Sequence, residues 1–329
     1  MKPWILVAAL VMLNQSASPQ IPQAEISNGT VRATIYLPSA EAGYYRGTRF
    51  DWSGVVSSLA WGGHEYFGQW FEKYDPKIHD AIAGPVEEFL TGKDSSLGYD
   101  EAKPGETFVR IGVGAVRKPQ NAVEYRRFET YEIVDSGTWT VNRQTDRIEF
   151  VHELRETNGY AYVYRKTLRL GKDSMVLEHG LKNTGKKPIA THVYNHNFFT
   201  LDRQTTGPDI NVTFGFDVKA QRPLNGLADV RGRDIAFLKT FERGQTVFTE
   251  VEGFGATAKD YDFRLENRRT GAGVHITGDR PLMKVYFWSA AQTVCPEPYI
   301  DVSVEPGKES SWRINYQFYQ VNPAQGGKR

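Results

Sequence analysis

The chain has 329 residues, room for one large or two ordinary domains, and its 40 Lys+Arg against 39 Asp+Glu leave a formal charge of +1. That balance argues against a general nucleic-acid binder, which carries a basic stripe or arm, and against the charged tails of many disordered interaction proteins. With 40% apolar and 24% charged residues the chain can bury a sizeable core, and 13% aromatic content suits both strand packing and the walls of a ligand cleft.

At the N-terminus, Lys2, the apolar run Trp4 to Leu13 and the small and polar residues Asn14 to Ser18 predict a secretory signal peptide over residues 1–18. The alternative is a buried N-terminal strand. The run is about half of the roughly 20 residues a membrane-spanning helix needs. No Cys follows it, which argues against a lipid anchor. The mature chain is therefore expected to be exported, periplasmic or secreted, with no membrane insertion. Cys295 is the only Cys, so no intrachain disulfide can form. A structural zinc site is not expected, and Cys295 reads as a small buried strand residue.

From Val31 onward the pattern is strand after strand. Val31–Leu37 and Thr107–Gly114 alternate with period two. Arg147–Leu154, Ala161–Leu170, Met175–Leu181 and Ile189–Phe199 are β-rich runs, separated by the turn signals Asn158-Gly159, Gly171-Lys172-Asp173 and Asn183-Thr184-Gly185. The best helical segment is short, Glu65 to Tyr74. No linker or repeat divides the chain, so residues 21–324 are expected to form a single large antiparallel β-sandwich, all-β with few short helices, followed by a polar tail at 325–329.

Three segments combine ionisable groups with strand ends. In His192-Val193-Tyr194-Asn195-His196-Asn197-Phe198-Phe199, residues of one parity share a sheet face, so His192, Tyr194 and His196 point the same way. A His among aromatics suits general acid–base chemistry near neutral pH, or it is a hydrogen-bonded structural residue. In Cys295-Pro296-Glu297-Pro298-Tyr299, two prolines fix the backbone of a carboxylate that suits a base, or a surface Glu at a strand edge. Asp260-Tyr261-Asp262-Phe263-Arg264-Leu265 reads in isolation as a charged hairpin.

Asn195-His196-Asn197-Phe198-Phe199-Thr200-Leu201 resembles the Asn-His-x-Tyr/Phe-Phe-x-Leu element of the aldose 1-epimerases, or galactose mutarotases. In the same order, Asp260–Leu265 is similar to their Asp-His-x-Phe-x-Leu segment, Thr277–Tyr286 to the strand that follows it, and Cys295–Pro298 with Pro306-Gly307-Lys308-Glu309 to their Cys-x-Glu and closing segments. The resemblance spans about 140 residues of the C-terminal half. It implies a galactose mutarotase-like β-sandwich and interconversion of sugar anomers without metal or organic cofactor. His196 would be the acid that protonates the ring oxygen, Glu297 the base on the anomeric hydroxyl, and Asp260 a holder of sugar hydroxyls. In the N-terminal half, Arg49 and His79 stand near where the family has an Arg and a His, but no Gly-Gly follows His79, and Val86-Glu87-Glu88-Phe89 is foreign to the family. Arg46, Tyr194 and Asn195 complete the expected substrate-binding set, with Tyr44, Tyr45, Trp52, Tyr194, Phe198 and Tyr299 as sugar-facing walls. The expected partner is a small-molecule carbohydrate. The alternatives are a non-catalytic carbohydrate-binding protein on the same fold, or a lyase or glycosidase acting on a polysaccharide.

Overall fold

The structure, a computed structural model, describes residues 20–122 and 124–322. The expected signal peptide and polar tail lie outside the described residues. Apart from two three-residue 3-10 turns, Leu201–Arg203 and Ala258–Asp260, the regular elements are strands. They form sheets of ten, six, four and three strands, and the pairings around the cleft are antiparallel. The expected all-β antiparallel sandwich is the observed architecture.

The six-stranded sheet positions the functional residues. Its order is Lys219–Ala220, Thr246–Glu252, Lys284–Ala290, Thr293–Val304, Ile189–His196 and Val86–Leu90. Lys284–Ala290 shows why these residues fold this way: Val285, Phe287 and Ser289 are buried on one face while Lys284, Tyr286 and Trp288 stand half-buried on the other. The inner face packs on the ten-stranded sheet, joining Val193, Val285, Phe287 and Ile300 to Leu177, Val274 and Ile314 in one core. Each large apolar side chain buried there contributes roughly 1.5–3 kcal/mol over exposure. The outer face is partly roofed by the N-terminal half, where Phe50, Ile82, Val86, Phe108, Tyr194, Phe198 and Tyr299 form a second apolar cluster. Strand Ile189–His196 is therefore buried on both faces over most of its length.

Three sequence expectations change. Glu65–Tyr74 is not helical: His64–Phe67 is a strand paired with Leu59–Trp61, and the chain then runs irregularly. Gly68 and the aromatic run after it fit tertiary packing better than a helix face, with the Trp70 indole stacked 5.1 Å from Phe198 and donating to the Ile82 carbonyl. Thr107–Gly114 is not one strand but the hairpin Thr107–Arg110 and Gly114–Arg117, turning at Gly112 with φ 77°. Ile189–Phe199 ends as a strand at His196, because Phe198 adopts φ 38°.

Candidate active site

Antiparallel register brings the two motif residues together. Tyr194 pairs with Tyr299, so His196 and Glu297, two residues on in opposite directions, are neighbours on the outer face. His196 Nε2 lies 3.4 Å from Glu297 Oε1, and both side chains are about 6% exposed. The turn at Phe198 folds its ring back onto the imidazole, centroids 3.7 Å apart and nearly parallel. Phe50 and Trp288 contact the imidazole edge-on at 5.7 Å. His196 Nδ1 is buried without a hydrogen-bond partner among the described residues, so aromatic packing rather than a hydrogen bond orients the ring. Pro296 and Pro298 flank Glu297 within an interior strand, and Asn197 Nδ2 donates to the Pro296 carbonyl at 2.7 Å.

The dyad lies in a cleft of about 320 Å³. One wall is aromatic, made by Phe248, Tyr286 and Trp288 from adjacent strands; the other carries Arg49, Asp80, Arg127 and Phe128. Behind the charged wall, Glu88 is fully buried. It accepts from Arg49 Nε at 3.0 Å, from Arg127 Nη2 at 2.8 Å, from Arg110 at 3.3 Å and from the Tyr194 hydroxyl at 2.6 Å. The same hydroxyl accepts from Arg49 Nη2 and Arg127 Nη2. Arg49 also pairs with Asp80, whose other oxygen lies 2.8 Å from His79 Nδ1.

The two buried carboxylates of this face are driven in opposite directions. Burial alone would raise Glu88, but the guanidiniums of Arg127, Arg49 and Arg110 outweigh it and hold it well below the usual carboxylate range. Glu297 has no such contact. Burial pushes it up to about 7, against the more distant pull of Arg49 and Arg127. Burial, reinforced by Arg49, pushes His196 well below the usual histidine range. Near neutral pH the dyad thus holds a neutral imidazole beside a carboxyl group close to half protonation.

The expected residues divide clearly. His196, Glu297 and Arg49 converge on the cleft, with Phe198 and Tyr299 in its lining. Tyr194 lies behind the charged wall as a hydrogen-bond hub, and His79 is at the rim against Phe128. Asp260, Arg46 and Asn195 are corrections. Asp260 precedes a strand of the other sheet and accepts from the Gly255 amide at 3.1 Å. Arg46 turns away to the Glu41 carbonyl. Asn195 has the opposite parity to His196, so it faces the sandwich interior, where it donates to Glu87 and accepts from Tyr316. Tyr44, Tyr45 and Trp52 are buried packing residues rather than cleft walls: Tyr44 stacks on Tyr36, Tyr45 donates to the His79 carbonyl and Trp52 to the Gly47 carbonyl.

Asp80, Arg127, Phe128, Phe248, Tyr286 and Trp288 line the cleft without having been singled out from the sequence. The alternation of Thr246–Glu252 and Lys284–Ala290 could have shown Phe248, Tyr286 and Trp288 on one face; the loop residues left no periodic trace. Cys295 is fully buried, its thiol pushed up by burial. No cluster of three or more potential metal ligands occurs among the described residues.

No family model and no curated protein sequence matches the chain. Solved structures do. A protein from Synechocystis sp. PCC 6803 superposes with a TM-score of 0.57 at 14% identity, over 94% of this chain and 100% of that one. A galactose mutarotase-like protein from Clostridium acetobutylicum gives 0.55 at 12% identity over 90% and 95%. A galactose mutarotase related enzyme from Lactobacillus acidophilus gives 0.52 at 14% identity over 91% and 98%. The chain has the galactose mutarotase-like fold, as the motif resemblance implied.

Proposed function

We propose that the protein is an exported enzyme that interconverts the anomers of an aldose, with His196 and Glu297 exchanging protons with the sugar. The observation that carries this reading is the buried 3.4 Å contact of the two groups on the cleft floor. The ring oxygen and the anomeric hydroxyl share one carbon, so two proton-exchanging groups side by side can serve both atoms.

The electrostatics favour a starting assignment opposite to the one the resemblance implies. The protonated carboxyl of Glu297 gives its proton to the ring oxygen while neutral His196 takes the proton of the anomeric hydroxyl. The bond from the anomeric carbon to the ring oxygen breaks and the aldehyde forms. After rotation about the adjacent carbon–carbon bond, the imidazolium returns its proton to the aldehyde oxygen. Glu297 recovers the proton of the ring hydroxyl, which attacks the opposite face of the carbonyl. One proton shared by the dyad serves both half-reactions. Arg49 and Arg127 stabilise negative charge developing on sugar oxygens, and the aromatic wall receives the apolar face of the ring.

Polarimetry or NMR exchange spectroscopy on a panel of neutral and acidic aldoses tests the reading. The purified protein should accelerate equilibration of at least one of them. Sugar binding by calorimetry with no acceleration for any aldose would replace it with a binding function.

A further inference from the structure

The two arginines of the cleft are not equivalent. Every nitrogen of Arg49 is engaged: Nε with Glu88, Nη1 with Asp80 and Nη2 with the Tyr194 hydroxyl. Arg127 directs Nε and Nη2 to Glu88, Tyr194 and Tyr299. Its Nη1 makes no hydrogen bond among the described residues, and the nearest carboxylate oxygen to it, on Asp94, is 3.9 Å away. Asp94 is itself held by His192 at 3.2 Å and by Lys284 at 3.4 Å. Three guanidiniums therefore share Glu88, Asp80, the distant Asp94 and a half-ionised Glu297 add further negative charge, and Arg127 reaches the cleft with two N–H donors unspent.

We infer that the substrate is a hexuronate, a sugar whose C5 bears a carboxylate, and that Arg127 Nη1 receives that carboxylate. This deepens the anomer-exchange reading and rests on it. The placement follows from the strand. Arg127 Nη2 bonds the Tyr299 hydroxyl at 3.3 Å, and Tyr299 is two residues from Glu297 on the same face, roughly 6.5–7 Å along the chain. In a hexuronate the carboxylate is on the carbon next to the ring oxygen. A ring whose oxygen is seated on Glu297 and whose C5 is turned along this strand brings the carboxylate towards Tyr299 and Arg127. With Nε and Nη2 already engaged, Nη1 offers a carboxylate a charge-assisted hydrogen bond that a neutral hydroxyl does not match. Lys284, stacked 4.6 Å over the Tyr299 ring, adds positive charge on the same side.

The test compares D-glucuronate and D-galacturonate with D-glucose, D-galactose, glucuronate methyl ester and D-glucose 6-phosphate in NMR exchange spectroscopy. The uronates should show kcat/KM about tenfold or more above the neutral hexoses and the ester, the scale of one charge-assisted hydrogen bond. Arg127→Met should lower kcat for every aldose, because Arg127 also faces the developing charge, but should raise KM about tenfold for the uronate and not for the neutral hexoses or the ester. The ester removes the charge from the ligand with the protein intact, so the result stands even if Arg127→Met fails to fold. Equal kcat/KM for uronate, ester and hexose overturns the inference and leaves anomer exchange standing, as does a preference for the 6-phosphate. If no sugar is exchanged, the anomer-exchange reading falls. Calorimetry then decides the carboxylate site alone: uronate binding lost in Arg127→Met upholds it, and no uronate binding by the wild type overturns it.

Discussion

The two faces of the six-stranded sheet both bury charge, but they treat it differently. On the inner face Glu87 meets Lys166, His179 Nε2 at 3.0 Å and Asn195 Nδ2 at 2.8 Å, and Lys166 also donates to the Ser53 carbonyl and lies 3.6 Å from Asp51. Burial would raise Glu87, but Lys166 and His179 overcome it and bring the carboxyl down to about 2. Every carboxylate there has a cation or donor against it, and the region lies inside the sandwich. On the outer face, one residue along each strand, Glu88 is over-supplied with guanidinium while Glu297 is left under-supplied in an open cleft. Burial outweighs Lys166 at Asp51 too and raises it to about 6, but inside the sandwich; the raised Glu297 stands beside a cavity, where a ligand can exchange protons with it.

The sharpest way to break this comparison is at the dyad. His196→Ala or Glu297→Gln should lower kcat for anomer exchange by about 10²–10⁴-fold, with circular dichroism unchanged; a loss under tenfold would remove either residue from the chemistry. Next in size is Glu88→Gln, which takes the shared carboxylate from the buried Arg49 and Arg110 and the half-buried Arg127 and should cost about 3–5 kcal/mol in urea unfolding. A cost near zero would mean those cations find other partners.

A smaller effect has the opposite sign. Because the folded protein raises Glu297 from 4.5 to about 7, its contribution to stability is full below the unfolded value and is lost as pH rises through 7. Glu297→Gln should therefore stabilise the protein by about 1–3 kcal/mol at pH 8 and by much less at pH 4; equal shifts at both pH values would refute the raised carboxyl. Glu87 and Glu88 run the other way. Both are lowered in the fold, so their stabilisation is present above the ordinary carboxylate range and disappears as pH falls below it. The smallest change is expected from Phe248→Ala on the aromatic wall, a KM increase of up to about tenfold with kcat held. A fall in kcat with KM unchanged would place the ring at the reacting atoms instead.

How much of this was legible in the sequence depends on what carries each residue. His196 and Glu297 lie on strands, where period-two alternation and fixed register make local sequence a fair guide to direction, and the prolines around Glu297 mark a rigid backbone. Alternation would also have turned Asn195 inward had it been applied beyond His196. Asp260 misled because its motif lies on a strand of the ten-stranded sheet, and similar spacing does not tell which sheet a strand joins. Asp80 and Arg127 come from irregular segments whose course is set by contacts distant in sequence, such as the reach of Arg127 to Tyr299. Val86-Glu87-Glu88-Phe89 is foreign to the family pattern, and the structure supplies the reason: adjacent acids on one strand must enter opposite faces, and each meets its own cations.

The hydroxyl of Tyr316 lies 2.9 Å from the side-chain oxygens of both Asn195 and Asn197, the residues on either side of His196. One phenol anchored in the ten-stranded sheet thus acts as a guy-rope on the histidine of the facing sheet. A slip of one layer over the other would pull on the backbone on both sides of the imidazole, so the fit between the two sheets bears on where that ring sits as well as on what holds the core.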